Sequence, residues 1–252
     1  MVARNTLLHY CQQLLNPAAF RDYGPNGLQV EGTNDIHHLV TGVTASLALI
    51  EKAIDLQAQA ILVHHGLFWQ GDDLCVVRWK QKRLKALLKQ DINLFAYHLP
   101  LDAHKQYGNN AQLAQKLGLH IDRWFLSERG PEIGCIGHLP KPLSAEAFGE
   151  HLRTSLDFVP IVLNVRQKPI KTIAWCTGGA QSYIESAALE GVDAYLTGEI
   201  TEQTIHLAQE LSIDFFASGH HATERYGVLS LGKHLAEHFH LKHTFIDLKN
   251  PA

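Results

Sequence analysis

The chain alternates short apolar runs with amphipathic segments, a pattern typical of an α/β protein. Apolar runs with the length of strands lie at residues 36–43, 60–63, 94–97, 133–139, 161–165 and 213–217. Segments with helical periodicity lie at residues 7–15, 47–56, 78–89, 110–117 and 222–235, and Ser144 is a predicted helix N-cap. This order predicts largely parallel sheets flanked by helices.

The apolar pattern also repeats along the chain. A shift of about 134 positions places residues 49–53 on 183–187 and residues 60–62 on 194–196, and with a shorter offset 92–96 align with 213–217. Any two strand-helix units look alike to some degree, so chance similarity is the alternative. We predict two similar, intertwined α/β lobes that arose by internal duplication.

The predicted lobes form one structural unit with three segments. Residues 1–125 form the first lobe, residues 126–170 a small βαβ connecting unit, and residues 171–252 the second lobe.

Composition and charge narrow the class of protein. With 252 residues and 46% hydrophobic content, the chain can bury a substantial core. Its formal charge of -3 supplies no overall attraction for a polyanion, so nucleic acid is a disfavoured partner, although a local basic patch is compatible with this charge. No window is apolar enough to span a bilayer, which predicts no membrane partner.

The cysteines indicate a reducing compartment. Cys11, Cys75, Cys135 and Cys176 are widely separated and form no Cys-x-x-Cys pair. They are expected to be reduced and mostly buried. Because the N-terminal segment also lacks the apolar stretch of an export signal, we predict a cytoplasmic protein.

Ligand-type side chains follow three of the apolar runs. His64 and His65 end the run at 60–63, Asp102 lies shortly after the run at 94–97, and His220 and Glu224 follow the run at 213–217. The carboxyl ends of parallel strands are where open α/β sheets place their ligands. Five imidazole and carboxylate groups exceed what one tetrahedral catalytic ion takes from a protein, which predicts a two-metal site.

Local geometry constrains each member of this set. His64 and His65 point to opposite faces of a strand, so we expect the chain to leave the extended conformation there, helped by Gly66. His220 and Glu224 are four residues apart and share a face if the following segment is helical. Asp102 has an alternative role as a cap of a helix or turn.

The ligand types suit zinc, manganese, iron or nickel, and two such ions acidify a water and polarise the bond that it attacks. The predicted activity is therefore metal-dependent hydrolysis, with no assigned general base. Candidates for outer-shell or proton-relay roles are His98, His104, Glu199 and His221. Gly178 and Gly179 either form a strand-to-helix turn, which we favour, or present N–H groups to a phosphate.

Four motifs in this order resemble the GTP cyclohydrolase I type two homologue family, also called Nif-three-like proteins, in its short bacterial form. The motifs are VHHGLFW from Val63, YHLPLDAH with GNN from Tyr97, LTGE from Leu196 and GHHATE from Gly219. The resemblance implies the Nif-three-like fold, a homohexameric toroid, and two divalent ions per chain held by His64, His65, Asp102, His220 and Glu224. It also implies a nucleotide-like or phosphoester substrate, by the family's name alone.

Two other classes of function stay open. A metal-storage or metal-delivery protein would use the same ligands without turnover. A ring-shaped scaffold that binds nucleic acid would need Lys and Arg on its inner wall and would bind in a salt-dependent way. Exchangeable ions, saturable hydrolysis and salt-sensitive binding to nucleic acid distinguish the three.

Overall fold

The computed structural model describes all 252 residues. Its strands are β1 (Val2–Ala3), β2 (Gly27–Val30), β3 (Asp35–Ile36), β4 (His38–Thr44), β5 (Ala60–His65), β6 (Asn93–Ala96), β7 (His120–Phe125), β8 (Gly134–Leu143), β9 (Ile161–Leu163), β10 (Ile170–Trp175), β11 (Ala194–Thr197), β12 (Asp214–Ala217) and β13 (Lys242–Phe245). Its α-helices are α1 (Arg4–Leu15), α2 (Leu47–Asp55), α3 (Arg78–Lys89), α4 (Leu99–Ala103), α5 (Asn109–Leu117), α6 (Ala145–Leu156), α7 (Ile184–Leu189), α8 (Glu202–Glu210) and α9 (His220–Phe239). Two 3₁₀ helices cover Pro17–Ala19 and Gln181–Tyr183.

The chain divides into two compact units, each built from two of its segments. Unit 1 contains Met1–Leu101 and Gly227–Leu248, and unit 2 contains Asp102–Tyr226 and Lys249–Ala252. These bounds differ from the predicted ones at 125 and 170. Residues 120–125 fall in unit 2 because β7 pairs with β8, and residues 242–245 return to unit 1 because β13 pairs with β4.

Unit 1 is built on a five-stranded sheet in the order β13-β4-β5-β6-β2. The first four strands are parallel, and β2 runs antiparallel to β6 at one edge. Every side chain of β6 and the first five of β5 are buried, which explains why these strands read as continuous apolar runs rather than alternating ones. Helix α2 begins after Ser46, whose hydroxyl accepts a hydrogen bond from the Leu49 N–H.

Unit 2 is built on a six-stranded sheet in the order β7-β8-β10-β11-β12-β9. Strands β10, β11 and β12 are parallel, and β8 and β9 flank them in antiparallel orientation. The segment predicted as a separate βαβ unit supplies β8, α6 and β9 to this sheet. Ser144 caps α6 as predicted, since its hydroxyl accepts from the Ala147 N–H.

The two sheets share a repeated core. In unit 1, β4-α2-β5-α3-β6 forms three adjacent parallel strands, and the preceding β2 lies antiparallel beside β6. In unit 2, β10-α7-β11-α8-β12 does the same, and the preceding β9 lies antiparallel beside β12. This correspondence confirms the predicted α/β fold with two similar lobes.

Two further expectations concern the cysteines and membranes. All four cysteines are free thiols, and Cys11, Cys135 and Cys176 are buried whereas Cys75 is exposed. None of the helices has the length and hydropathy needed to cross a bilayer.

Candidate metal centre

The first group of candidate ligands lies at the carboxyl end of β5 in unit 1. His64 is fully buried, and its Nδ1 donates to the Tyr97 carbonyl oxygen at 3.0 Å. His65 Nδ1 lies 3.1 Å from the Thr44 hydroxyl. Because a carbonyl can only accept, His64 carries its proton on Nδ1 and its lone pair on Nε2, the form in which imidazole binds a metal.

A third histidine joins this group. His98 follows β6, and its Nδ1 lies 2.7 Å from the Asp22 carboxylate. One ring nitrogen each from His64, His65 and His98 lie within 4.8 Å of one another. The structure therefore places a sequence-predicted relay candidate among the predicted ligands of unit 1.

The predicted departure from extended backbone at His64 and His65 is wrong. Strand β5 continues through His65, which pairs with Thr44 of β4. Gly66 instead leaves room for the side chain of Gln29, because a Cβ there would lie 2.3 Å from Oε1 of Gln29 and the Gln29 side chain would have to shift. That same oxygen accepts from the Leu67 N–H at 2.8 Å, so the Gln29 side chain fixes the segment after β5.

In unit 2, Asp102 is held by a network of neutral donors. It is 6% exposed, and its Oδ1 accepts from Asn109 Nδ2 at 2.8 Å and from the Thr177 hydroxyl at 3.3 Å. Asn110 Oδ1 in turn accepts from the Thr177 N–H at 3.0 Å. These donors orient the carboxylate without neutralising its charge. Asp102 lies within α4 rather than acting as a turn cap.

His220 and Glu224 lie in the first turns of α9, one helical turn apart. His220 Nδ1 is 2.7 Å from Glu199 Oε1, and His220 Nε2 is 3.1 Å from Glu224 Oε2. Burial alone would lower the pKa of His220, but the hydrogen bonds and charges of Glu224 and Glu199 outweigh it and raise the pKa to about 9. Without a metal, His220 is thus a cation between two carboxylates.

Gly178 makes room for Glu224. A Cβ at Gly178 would lie 2.1 Å from Glu224 Oε1 and 3.1 Å from His220 Nε2. The glycine also has a φ of +72°, a left-handed conformation that other residues adopt at a cost. Its N–H donates to the Thr223 hydroxyl at 3.1 Å. Gly178 therefore serves the carboxylate site, in a turn of the kind the sequence favoured.

The donor set of unit 2 fits a divalent cation. An oxygen of Asp102 and an oxygen of Glu224 lie within 4.8 Å of each other, and Glu224 is only 3% exposed. Two ionised carboxylates at this separation repel each other strongly when water is excluded, so the arrangement calls for a cation or a shared proton. The one cation there, His220, lies between Glu199 and Glu224. The histidines of unit 1 and the carboxylates of unit 2 are thus groups that could bind a metal.

The remaining candidates have different surroundings. Glu199 is the partner of His220, as described above. His104 Nδ1 accepts from the Tyr107 N–H at 3.0 Å, which stabilises the turn after α4. His221 lines a separate pocket of unit 2 together with Phe158, Arg225 and Lys249. Burial, with the nearby charges of Asp102 and Glu224, raises the pKa of the Cys176 thiol, so no thiolate ligand is expected there.

Sequence reasoning missed the groups that orient the ligands. Asp22, Thr44, Asn109 and Thr177 were not singled out. Asn109 lies in the GNN motif, which was the one available signal. The others are distant in sequence from the side chains that they hold.

Comparisons with known proteins agree with this fold. A Pseudomonas aeruginosa protein named GTP cyclohydrolase 1 type 2 homolog is 50% identical over 251 residues, covering 100% of this chain and 99% of the relative. The solved structure of protein ybgI, described as of unknown function, has a TM-score of 0.96 at 45% identity and covers 100% of both chains. A crystal structure of a Thermus thermophilus protein aligns with a TM-score of 0.89 at 30% identity over 100% of both chains.

The family comparison covers nearly the entire chain. The family described as Duf34/NIF3 (NGG1p interacting factor 3) matches residues 2–251. The relatives that match over the full length agree with this family. The chain therefore belongs to the DUF34/NIF3 family.

Proposed function

We propose that this protein binds two divalent metal ions per chain and uses them to hydrolyse a nucleotide-like or phosphoester substrate. The proposed ligands are His64, His65, Asp102, His220 and Glu224. The observation that carries the proposal is the pair of buried carboxylates, Asp102 and Glu224, within 4.8 Å of each other beside His220. Such a pair is costly in a metal-free protein and favourable around a cation.

The side chains around the ligands support this proposal. His64, His98 and His220 each place Nδ1 against an oxygen acceptor, and His65 Nδ1 lies beside a hydroxyl. Metal-binding histidines usually have such a partner, which sets the tautomer and the ring orientation. Asn109 and Thr177 play the corresponding part for Asp102. These contacts reduce the rearrangement that ion binding requires.

When bound, the ions would supply Lewis acidity toward a substrate oxygen and would lower the pKa of a water. The protein would bind the ions and orient the substrate. A mixed imidazole and carboxylate set suits zinc, manganese, iron or nickel. Which of them is bound depends on availability as well as on the ligands.

The substrate class rests on the names of the relatives. Several curated relatives, among them the Pseudomonas aeruginosa protein, are named GTP cyclohydrolase 1 type 2 homolog. Ring opening of GTP is a hydrolysis, so it is compatible with the proposed chemistry. The resemblance also implies a homohexamer, which light scattering on the purified protein measures directly.

The test combines a metal count with a turnover assay. We would measure bound metals by elemental analysis and assay GTP, other nucleotides and phosphoesters. The same measurements would be made on a His64→Ala, Glu224→Ala double variant. A His9→Ala, Glu51→Ala double variant is the matched control, because both of its side chains are exposed.

About two ions per chain, with turnover lost only in the ligand variant, is the expected result. Two ions without turnover of any substrate would favour metal storage or delivery over hydrolysis. No bound metal in the wild-type protein would contradict the whole proposal.

A further inference from the structure

Asp22 is the most heavily bonded carboxylate of unit 1, and it lies in the loop before β2. Its side chain is 3% exposed. Oδ1 accepts from the Tyr23 N–H at 2.7 Å and faces His98 Nδ1, also at 2.7 Å. Oδ2 accepts from Asn26 Nδ2 at 2.8 Å and from the Leu99 N–H at 2.9 Å. All four partners converge on one carboxylate.

The same loop fixes the backbone that carries His98. Asn26 Oδ1 accepts from the His98 N–H at 2.7 Å, so the amide of Asn26 has its oxygen toward His98 and its NH₂ toward Asp22. Two N–H groups of the segment after β6 are therefore bonded to the loop at 22–26. His98 cannot shift along the chain direction without breaking these bonds.

Aromatic neighbours restrict rotation of the His98 ring. Trp69 stands perpendicular to it, with ring centroids 5.1 Å apart and an interplanar angle of 89°. Tyr23 lies at 5.9 Å and 66°. Trp69 and His98 both line a small pocket that also includes His64 and Gly66. The ring is 19% exposed, so it is held in place and still reaches the pocket.

The bonding of Asp22 determines where His98 carries its proton. Burial alone would raise the pKa of Asp22, but the bonds from His98, Asn26 and Tyr23 lower it, which keeps the carboxylate ionised. An ionised carboxylate can only accept, so His98 Nδ1 is the donor and Nε2 is the other nitrogen, with the lone pair. One nitrogen of His98 lies within 4.8 Å of nitrogens of His64 and His65.

We propose that Asp22 is a positioning residue that holds His98 in the Nδ1–H tautomer, so that Nε2 is the proton acceptor beside the proposed metal ligands. The role of His98 in turnover rests on the proposed function, whereas the tautomer does not. A proton taken from the attacking water would go to Nε2 and leave the Nδ1–H bond to Asp22 in place.

Asp22→Asn is the discriminating variant, because an amide cannot accept at both positions. If the amide NH₂ points toward Leu99 and Asn26, it meets two N–H donors, which cannot accept. If it points toward His98, it meets one fixed donor, the Tyr23 N–H, and His98 can accept from it at Nδ1 once the imidazole proton is on Nε2. We therefore expect the variant to shift His98 toward the Nε2–H tautomer.

The measurement is magic-angle-spinning NMR on zinc-loaded protein labelled with ¹⁵N-histidine, which is independent of oligomer size. A His98→Gln variant assigns the signals by difference. Asn26→Ala is the matched control, because it removes one partner of Asp22 and the acceptor of the His98 N–H but leaves the carboxylate. Zinc content is measured on every sample.

We expect a protonated Nδ1 and an unprotonated Nε2 in the wild type and in Asn26→Ala, and the reverse in Asp22→Asn at unchanged zinc content. The same tautomer in Asp22→Asn as in the wild type would overturn the inference, as would a reversal in Asn26→Ala. A zinc-bound Nε2 signal from His98 would also overturn it, because His98 would then be a ligand. Loss of zinc from the ligand variants concerns the proposed function alone.

Discussion

The two units place different chemistry at equivalent strand ends. The end of β5 in unit 1 carries His64 and His65, and the 134-position shift relates them to Gly198 and Glu199 at the end of β11 in unit 2. Unit 1 thus offers nitrogen donors, whereas unit 2 offers the carboxylates of Glu199 and Glu224 with one histidine, and Asp102 of unit 2 lies in α4, after β6 of unit 1. The strand framework is repeated, and the ligand chemistry is not.

The pKa values of histidines shift in opposite directions in the two units. In unit 1, burial and nearby cations lower the pKa of His38, and the same causes lower the pKa of His243 to about 4. In unit 2, the carboxylates raise the pKa of His220 to about 9 against the effect of burial. Unit 1 is therefore expected to lose stability in acid, and unit 2 carries the excess negative charge that a cation would relieve.

The largest expected effect follows from the charge of unit 2. Asp102→Asn keeps an oxygen that can accept from Asn109 and Thr177 but removes one of the two close carboxylates. We expect more than about 100-fold weaker metal binding, beyond the loss typical of an outer-shell partner. The metal-free variant should be at least as stable as the metal-free wild type, because the repulsion with Glu224 is gone.

Elemental analysis and thermal unfolding with and without a chelator measure both effects. Asp193→Asn is the matched control. An amide oxygen can still accept from the Lys171 and Thr172 N–H groups, which both bond to Oδ2 of Asp193, but the ion pair of Oδ1 with Arg166 is lost, so the variant should lose about 1–3 kcal/mol of stability and keep its metal. Full metal content in Asp102→Asn would remove Asp102 from the ligand set.

Much of this framework could be predicted from sequence. Helix α3 covers residues 78–89 as expected, and β5, β6 and β12 lie within a few residues of their predicted runs. These elements are local, and each apolar period reports burial in its own segment. The strand ends that carry the proposed ligands could also be located, because the last apolar residue of a buried strand is easily recognised in the sequence.

The orienting contacts could not be predicted in the same way. Asp22 and His98 are 76 residues apart, and Thr44 and His65 are 21 apart. Such pairs depend on which strands become neighbours, which no local period encodes. The small strand β2 and the terminal β13 were missed for the same reason, since each is defined by its partner in the sheet.

Gly178→Ala gives an intermediate effect and tests the carboxylate side of the comparison. The new Cβ would lie 2.1 Å from Glu224 Oε1, so Glu224 must move. Gly191→Ala is the matched control: its φ of +70° is nearly the same as the +72° of Gly178, but nothing lies within 4 Å of its Cβ. Both variants pay about 1–2 kcal/mol for left-handed backbone.

The difference between the two glycine variants isolates the contact with Glu224. We expect Gly178→Ala to bind metal at least 10-fold more weakly than Gly191→Ala, as measured by competition with a chelator dye. Equal affinities would mean that Glu224 can move without cost to the ion, and the proposed role of Glu224 as a ligand would fail.

The smallest effect concerns the acid sensitivity of unit 1. His243 Nε2 lies 2.8 Å from the Thr41 hydroxyl, and burial, Lys233 and His38 disfavour its protonation in the folded state. Its folded pKa of about 4 lies below the unfolded value of about 6.5, so its contribution is complete above pH 6.5 and is lost as the pH falls toward 4. His243→Gln, which keeps an acceptor near Nε2, should flatten this decline.

The free energy of unfolding of the metal-free protein, measured by denaturant titration at pH 6.5, 5.5 and 4.5, tests this expectation. In His243→Gln, the slope of the unfolding free energy against pH should be smaller than in the wild type by at most about 1.4 kcal/mol per pH unit, the limit for one proton. The difference should stay below this limit because His243 is partly solvated. His9→Gln, at an exposed position of α1, should leave the slope unchanged. If both variants kept the wild-type slope, the acid sensitivity of unit 1 would have to come from other groups. The opposite pKa shifts of the histidines in the two units would then not contribute to the stability of the protein.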